Sequence, residues 1–441
     1  MGSTLEDVEF NPFLKKLITF ASGGPFLDGY IMVIIGLALI QLGPRLNLDV
    51  FWTGLIGASA LAGLFVGGLV FGYVTDLVGR QLMFTIDLIA IIILSIMQMF
   101  ITTPLELFIL RFAMGMAVGA DYPIATSIIA EFTPRKYRAM SMGFIAGVWY
   151  VGATVADIVG YFLLDVNGGW RWMLGSAAIP AIILVIGRLG TPESPRWLVS
   201  KGRIEEARVI VKKIFGPDAE PIMDEHIEKT QLSKLFKSGY LKKLVFVVIL
   251  YTAQVLPMYA IYTFGPQILN AFGLGSGNMA VLGDIVISAF FLIGCIPAMF
   301  WLESVGRRRL CIIGFVVMAL AMLVLGMFPS APIVIIISAF ALYAFFSGGP
   351  GILEWLYPNE LFPTEIRATA IGIAVASSKI CTFFAMFILP YSIKEYGIGP
   401  TMLIGAIITI IGLVASVVWA PETKGMTLTQ SSMAPLIKAS K

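Results

Sequence analysis

Asp28 lies eleven residues into the first apolar run of this chain, and Arg111 lies about six residues from the far end of the fourth. At 1.5 Å per helical residue, these positions are about 16 Å from one membrane face and about 9 Å from the other. In a hydrocarbon core ~30 Å thick the two depths differ by only about 5 Å, within reach of an arginine side chain. The spacing predicts an Asp28–Arg111 pair. A charge at mid-bilayer costs about 2.5–3.5 kcal/mol on insertion scales, so each one asks for a role. The cation favours the ionised carboxylate, and desolvation favours the protonated acid. A carboxyl that takes a proton on one side of a membrane and releases it on the other is a coupling device. The plainer alternative is a static pair that orders the first half of the chain.

Two further charges lie deep. Asp121 follows in Gly119-Ala120-Asp121-Tyr122-Pro123, and Lys379 lies thirteen residues into the eleventh run, about 20 Å down. Facing one cavity, they would hold an anion at Lys379 and a proton at Asp121; a salt bridge without substrate is the alternative. Trp149, Tyr150, Tyr259, Tyr262 and Trp355 would line a cavity for a flat or amphipathic ligand, with Tyr122 and Gln254 as polar contacts. Glu354 stands beside Trp355, after Gly348-Gly349-Pro350-Gly351, where the helix is expected to break, and would serve the cavity or a gate. Asp157 and Asp284 fall near the outer ends of their spans, where a vestibule role or solvation is expected; Asp87 has no assigned role. His226 is the only histidine and lies in a polar segment, so proton chemistry inside the spans rests on carboxylates. Cys295, Cys311 and Cys381 have no redox or metal spacing and are expected to pack. There is no nucleophile–base pair and no metal-ligand cluster, so neither an enzyme nor a bound metal or cofactor is expected.

The elements that must position these groups are membrane spans. The chain is 58% hydrophobic and 13% charged, against roughly 25% charge in soluble domains. Runs long enough to cross a bilayer recur at about 17–42, 52–75, 82–101, 105–130, 139–164, 171–189, 243–271, 279–302, 310–328, 331–357, 366–391 and 399–419. The first is too long for a signal-peptide core and is read as a retained span. Lys15, Lys16, Arg80, Arg135, Lys136, Arg138, Arg307, Arg308, Arg309 and Arg367 all fall in gaps on one side. By the positive-inside bias that side, with both termini, is cytoplasmic. The expected fold is all-α, with twelve transmembrane helices in two six-helix bundles. The divisions are a tail at 1–16, a bundle at 17–189, a polar linker at 190–242, a bundle at 243–419 and a tail at 420–441. The linker's 203–215 segment has helical apolar spacing, and short amphipathic helices are expected there.

Three charged signatures occur twice. Gly72-Tyr73-Val74-Thr75-Asp76-Leu77-Val78-Gly79-Arg80 is echoed by Glu303-Ser304-Val305-Gly306-Arg307. Glu131-Phe132-Thr133-Pro134 through Arg138 returns as Glu360-Leu361-Phe362-Pro363 through Arg367, and Pro192-Glu193-Ser194 returns as Pro421-Glu422-Thr423. A chain of two parallel, mostly apolar halves is how many secondary transporters are built. With Pro192-Glu193-Ser194-Pro195-Arg196-Trp197 and Pro421-Glu422-Thr423-Lys424-Gly425 added, the chain resembles the major facilitator superfamily, in its sugar-porter and metabolite:proton symporter branch. The resemblance covers roughly residues 15 to 425. It departs mildly at Gln81 and at Glu303, where the branch has a second basic residue and an Asp. The resemblance implies that Asp76, Arg80, Glu131, Arg138, Glu193, Arg196, Glu303, Arg307, Glu360, Arg367 and Glu422 form a cytoplasmic latch. The alternative is that they only fix topology. It also implies that Asp28 and Arg111 occupy the proton-coupling positions of sugar porters, and that Asp121 and Lys379 match positions in phosphate:proton symporters.

The sugar-binding pattern itself is broken: Ala153 stands at the fifth-span glutamine position, and the seventh-span pattern retains only Gln254. A sugar needs many paired polar groups, so a small organic acid or other hydrophilic anion is the favoured substrate. Sugar or polyol transport, and efflux of organic cations or drugs, are the alternatives. The expected partners are this small molecule, protons and the lipid bilayer, with no nucleic acid. The chain is expected to work as a monomer in a prokaryotic inner membrane.

Overall fold

The computed structural model describes residues 11–133, 135–217, 219, 240–275, 277–426 and 430–431, with some side chains inside helices left undescribed. Among the described residues there are sixteen helices. Ten form or flank the first six spans: α1 (Pro12–Ala21), α2 (Gly23–Arg45), α3 (Val50–Val78), α4 (Arg80–Gln98), α5 (Pro104–Phe132), α6 (Arg135–Leu164), α7 (Gly169–Gly175), α8 (Ala178–Arg188), α9 (Pro195–Ser200) and α10 (Ile204–Phe215). The other six are α11 (Tyr240–Ala271), α12 (Asn278–Ser304), α13 (Arg307–Met327), α14 (Ile333–Leu361), α15 (Thr364–Tyr396) and α16 (Ile398–Trp419). Each predicted apolar run coincides with a helix or, for the first and sixth, a helix pair. The chain is a multi-pass α-helical membrane protein. Its large exposed side chains include Leu69, Phe162, Ile179, Phe300 and Val334, as a lipid-facing surface requires.

Local signals set the starts. Asn11 accepts from the Leu14 amide at 2.8 Å ahead of Pro12, whose missing N–H costs nothing in a first turn. Thr103 and Glu106 form a reciprocal capping box before Pro104 opens α5. α14 runs unbroken through Gly348-Gly349-Pro350-Gly351, which corrects the expected break. Its glycines serve close packing instead: a Cβ at Gly348 would meet the Gly294 backbone of α12.

The contacts divide the chain into two compact units. One comprises Met1–Ile31, Ser59–Ala156 and Gly168–His226; the other comprises Met32–Ala58, Asp157–Asn167 and Ile227–Lys441. In the first, α4 packs on α5, α7 and α8, and α1 packs on α5 and α8. The predicted linker helix appears as α10. It is not merely solvated, since Ile210, Ile214 and Phe215 pack on a cluster that includes Leu14, Leu17, Ile18 and Phe132. In the second, α13 packs on α14 and α16, α12 on α14, and α11 on α15 and α16. Here α11 kinks at Phe264, just before Gly265-Pro266.

Candidate functional site

In the first unit Asp28 is 0% exposed, near the start of α2, and its Oδ2 accepts from Trp149 Nε1 of α6 at 2.7 Å. Arg111 of α5 is also buried, and its Nη2 donates to the Ile31 carbonyl at 3.1 Å, one helical turn beyond Asp28. The bonds shown for the two residues go to Trp149 and to Ile31. Depth along a span places two groups at one level without fixing which way each helix face turns, and the indole reaches the carboxylate.

Asp121 is held within its own unit by a residue that sequence reasoning missed. Arg188, at the last position of α8, donates from Nη1 to Asp121 Oδ1 at 2.7 Å and from Nη2 to Oδ2 at 3.3 Å. It also donates to the carbonyls of Phe84 at 2.9 Å and Phe20 at 3.1 Å, and its guanidinium carbon lies 3.5 Å from the Phe84 ring centroid. Asp87 completes the cluster, 3.9 Å from Arg188 Nη1. The sequence offered one signal: a cation ending the sixth run, which is easily taken for an interfacial flank.

In the second unit Lys379 of α15 donates to the Tyr259 hydroxyl of α11 at 2.8 Å, with its nitrogen 4.2 Å from that ring's centroid. Lys379 is also the cation acting on the buried Glu354 carboxyl of α14. Asp121 and Lys379 thus each have a partner within their own unit. Gln254 and Ser347 bond reciprocally, at 2.9 Å from Nε2 and 3.2 Å back to Oε1. Trp355 meets Tyr251 edge-on, and Tyr262 packs on Phe291 at 4.7 Å. Tyr150 meets Trp149 edge-on in the first unit. The Tyr122 side chain lies outside the described ones. Asp157 and Asp284 are 0% and 1% exposed, which corrects the expected solvation: the ends of α6 and α12 cover each other.

The repeated signatures converge on one local geometry, made twice. Gly79 takes φ +109°, and Glu193 then accepts from the first amides of α4, Arg80 at 3.1 Å and Gln81 at 3.2 Å. Gly306 takes φ +96°, and Glu422 accepts from Arg307 at 3.0 Å and Arg308 at 3.2 Å at the start of α13. A carboxylate at an N-terminus satisfies orphan amides and meets the positive end of the helix dipole. Arg307 pairs with Glu303 at 3.0 Å and Glu360 at 3.3 Å. Glu360 also accepts from Thr423, while Arg367 donates to the Phe362 carbonyl at 3.1 Å. The Asp76, Glu131, Arg138 and Arg196 side chains lie outside the described residues.

A duplicated set of capped, lipid-facing helices with buried acid and base groups defines a secondary transporter of the major facilitator fold. The family model described as "Sugar (and other) transporter" matches residues 17–434, and the chain belongs to that family. YaaU of Escherichia coli (strain K12), named for metabolite transport, is 53% identical, over 97% of this chain and 96% of its own. The arabinose-proton symporter of Bacillus subtilis (strain 168) is 29% identical, over 93% of each chain. A solved structure of the xylose transporter XylE from E. coli superposes with a TM-score of 0.80, at 24% identity over 95% of this chain and 100% of that one.

Proposed function

We propose that this chain is a proton-coupled symporter that carries a small polyhydroxylated metabolite, a sugar or polyol, across the membrane by alternating access. The observation that carries the substrate class is the balance inside the second unit: Lys379 is bonded to Tyr259 and faces the Glu354 carboxyl. With Gln254 and Ser347, these groups present donors and acceptors in similar number and no uncompensated charge, a set suited to hydroxyl groups. Kinship with an arabinose-proton symporter supports both the proton and the substrate class. Asp28 is the proton carrier, with Trp149 fixing its carboxyl and Arg111 placing a positive charge one turn away. Glu303, Arg307 and Glu360 act in the cytoplasmic latch, on the side that also carries both termini.

The same action of the Lys379 charge on Glu354 favours a second reading, the small organic acid. Protonation of Glu354 would release the Lys379 charge to a substrate carboxylate, so that anion and proton enter together. Ala153, standing where the sugar-porter pattern has a glutamine, supports it. The test is uptake into proteoliposomes of labelled pentoses, hexoses, inositol and organic acids under an inward proton gradient. Uphill uptake of a polyol supports the first reading, and uphill uptake of acids alone replaces it with the second. Uptake that ignores the gradient for every compound sinks both.

A further inference from the structure

At the end of α6 farthest from Arg135, Asp157 belongs to the second unit and lies against α12. Its Oδ2 accepts from Ser288, one turn along α12 from Asp284, and the Asp157 charge acts on the Asp284 carboxyl. Among the described residues, Asp157 Oδ1 and both Asp284 oxygens have no hydrogen-bond partner. From α11 the facing residue is Gly265, at the kink, where a Cβ would overlap the Asp284 carboxyl. No Lys, Arg or His is among the groups acting on either acid. Arg45 and Asp165, the charged groups of this end of α2 and α6, are exposed, and Asp165 accepts from Asn278 at 2.8 Å. Tyr262 of α11 and Tyr343 of α14 both pack on the Phe291 ring.

Two carboxylates in contact, buried and without a cation, cannot both be ionised. Carboxyl pairs held this way share one proton between them. We propose that Asp157 and Asp284 form a proton-binding site, separate from Asp28, whose single shared proton clamps the end of α6 to α12. Loss of that proton leaves two anions in contact and drives this end apart. The same end holds the kinked segment of α11 against α2, through Thr263 Oγ1 to the Met32 carbonyl at 3.2 Å and Gln267 Nε2 to the Gly36 carbonyl at 3.1 Å. The clamp therefore stands at the end of α6 opposite its Arg135 start, and it acts whatever the substrate.

The test needs no substrate. Phe162 and Met279 are 72% and 64% exposed on α6 and α12, and cysteines there, after Cys381→Ser, accept spin labels. Interlabel distances and the infrared absorption of protonated carboxyls are followed together in nanodiscs from about pH 5 to about pH 10. The expected result is a short distance at low pH that lengthens as one protonated-carboxyl band disappears, with a common midpoint. Asp157→Asn/Asp284→Asn, a neutral pair of nearly equal shape, should lack that band and stay short throughout. Should the double variant fold poorly, Asp284→Asn alone must shift or abolish the midpoint. A band that the variants retain, a distance that stays fixed while the band is lost, a band that never titrates, or an unchanged response in the variants would each overturn the clamp. Failure of uptake by any substrate bears only on the proposed function.

Discussion

Arg188→Met tests how the buried cluster of the first unit is held. The substitution removes two bonds to Asp121, at 2.7 and 3.3 Å, and one each to the Phe84 and Phe20 carbonyls. The methionine keeps most of the apolar packing on the Phe84 ring, so the main loss is electrostatic. Asp121 and Asp87 are both buried, and a stranded buried partner costs about 3–5 kcal/mol, more than the intact pair contributes. At roughly 2 °C per kcal/mol for a large chain, the apparent melting temperature should fall by about 6–10 °C. Adding Asp121→Asn removes the stranded anion while keeping its shape, and should recover more than half of that fall. The assay is thermal unfolding of the purified protein in detergent at one scan rate, near neutral pH, for both single variants and the double. A double variant that melts as low as Arg188→Met would refute the reasoning, because the loss would then lie in the carbonyl bonds and packing rather than in the stranded charge.

Three other outcomes follow from the geometry. Asp28→Asn should abolish uphill uptake while leaving exchange between preloaded sides, and concentrative uptake by this variant would remove Asp28 as the proton carrier. Gly306→Ala forces a side chain into φ +96° and against the Glu422 carboxylate, which should cost about 1–2 kcal/mol in thermal unfolding; an unchanged melting temperature would contradict the cap. Lys379→Gln should abolish transport, and Glu354→Gln added to it should restore substrate binding in a thermal-shift assay if charge balance is what the pair supplies. A double variant that binds no better than Lys379→Gln would show that Lys379 touches substrate itself.

The spans were legible because crossing a bilayer demands some twenty apolar residues, and nothing else in such a chain produces runs that long and that frequent. The caps were half legible. Gly79 and Gly306 marked the turns, but the carboxylates that meet the α4 and α13 amides come from Glu193 and Glu422, more than a hundred residues downstream. What stayed hidden was the rotation of each helix about its axis. Asp28 and Arg111 were at matching depth, yet Arg111 turns to Ile31. Arg188 stood at a span's end and was passed over, although α4 and α5 bury it. Asp157 and Asp284 were placed near span ends correctly, but a span end covered by another helix is as dry as a midplane.

The paired caps also impose an order on biosynthesis. The α4 amides that bind Glu193 are made 113 residues before that carboxylate exists, and the gap to Glu422 is 115 in the second repeat. At about 5–20 residues per second, each helix start waits roughly 6–23 s for its counter-charge. Each cap is thus completed only after the later spans of its half exist: a nascent chain stopped before Glu193 holds every span of its bundle and lacks the carboxylate that caps α4.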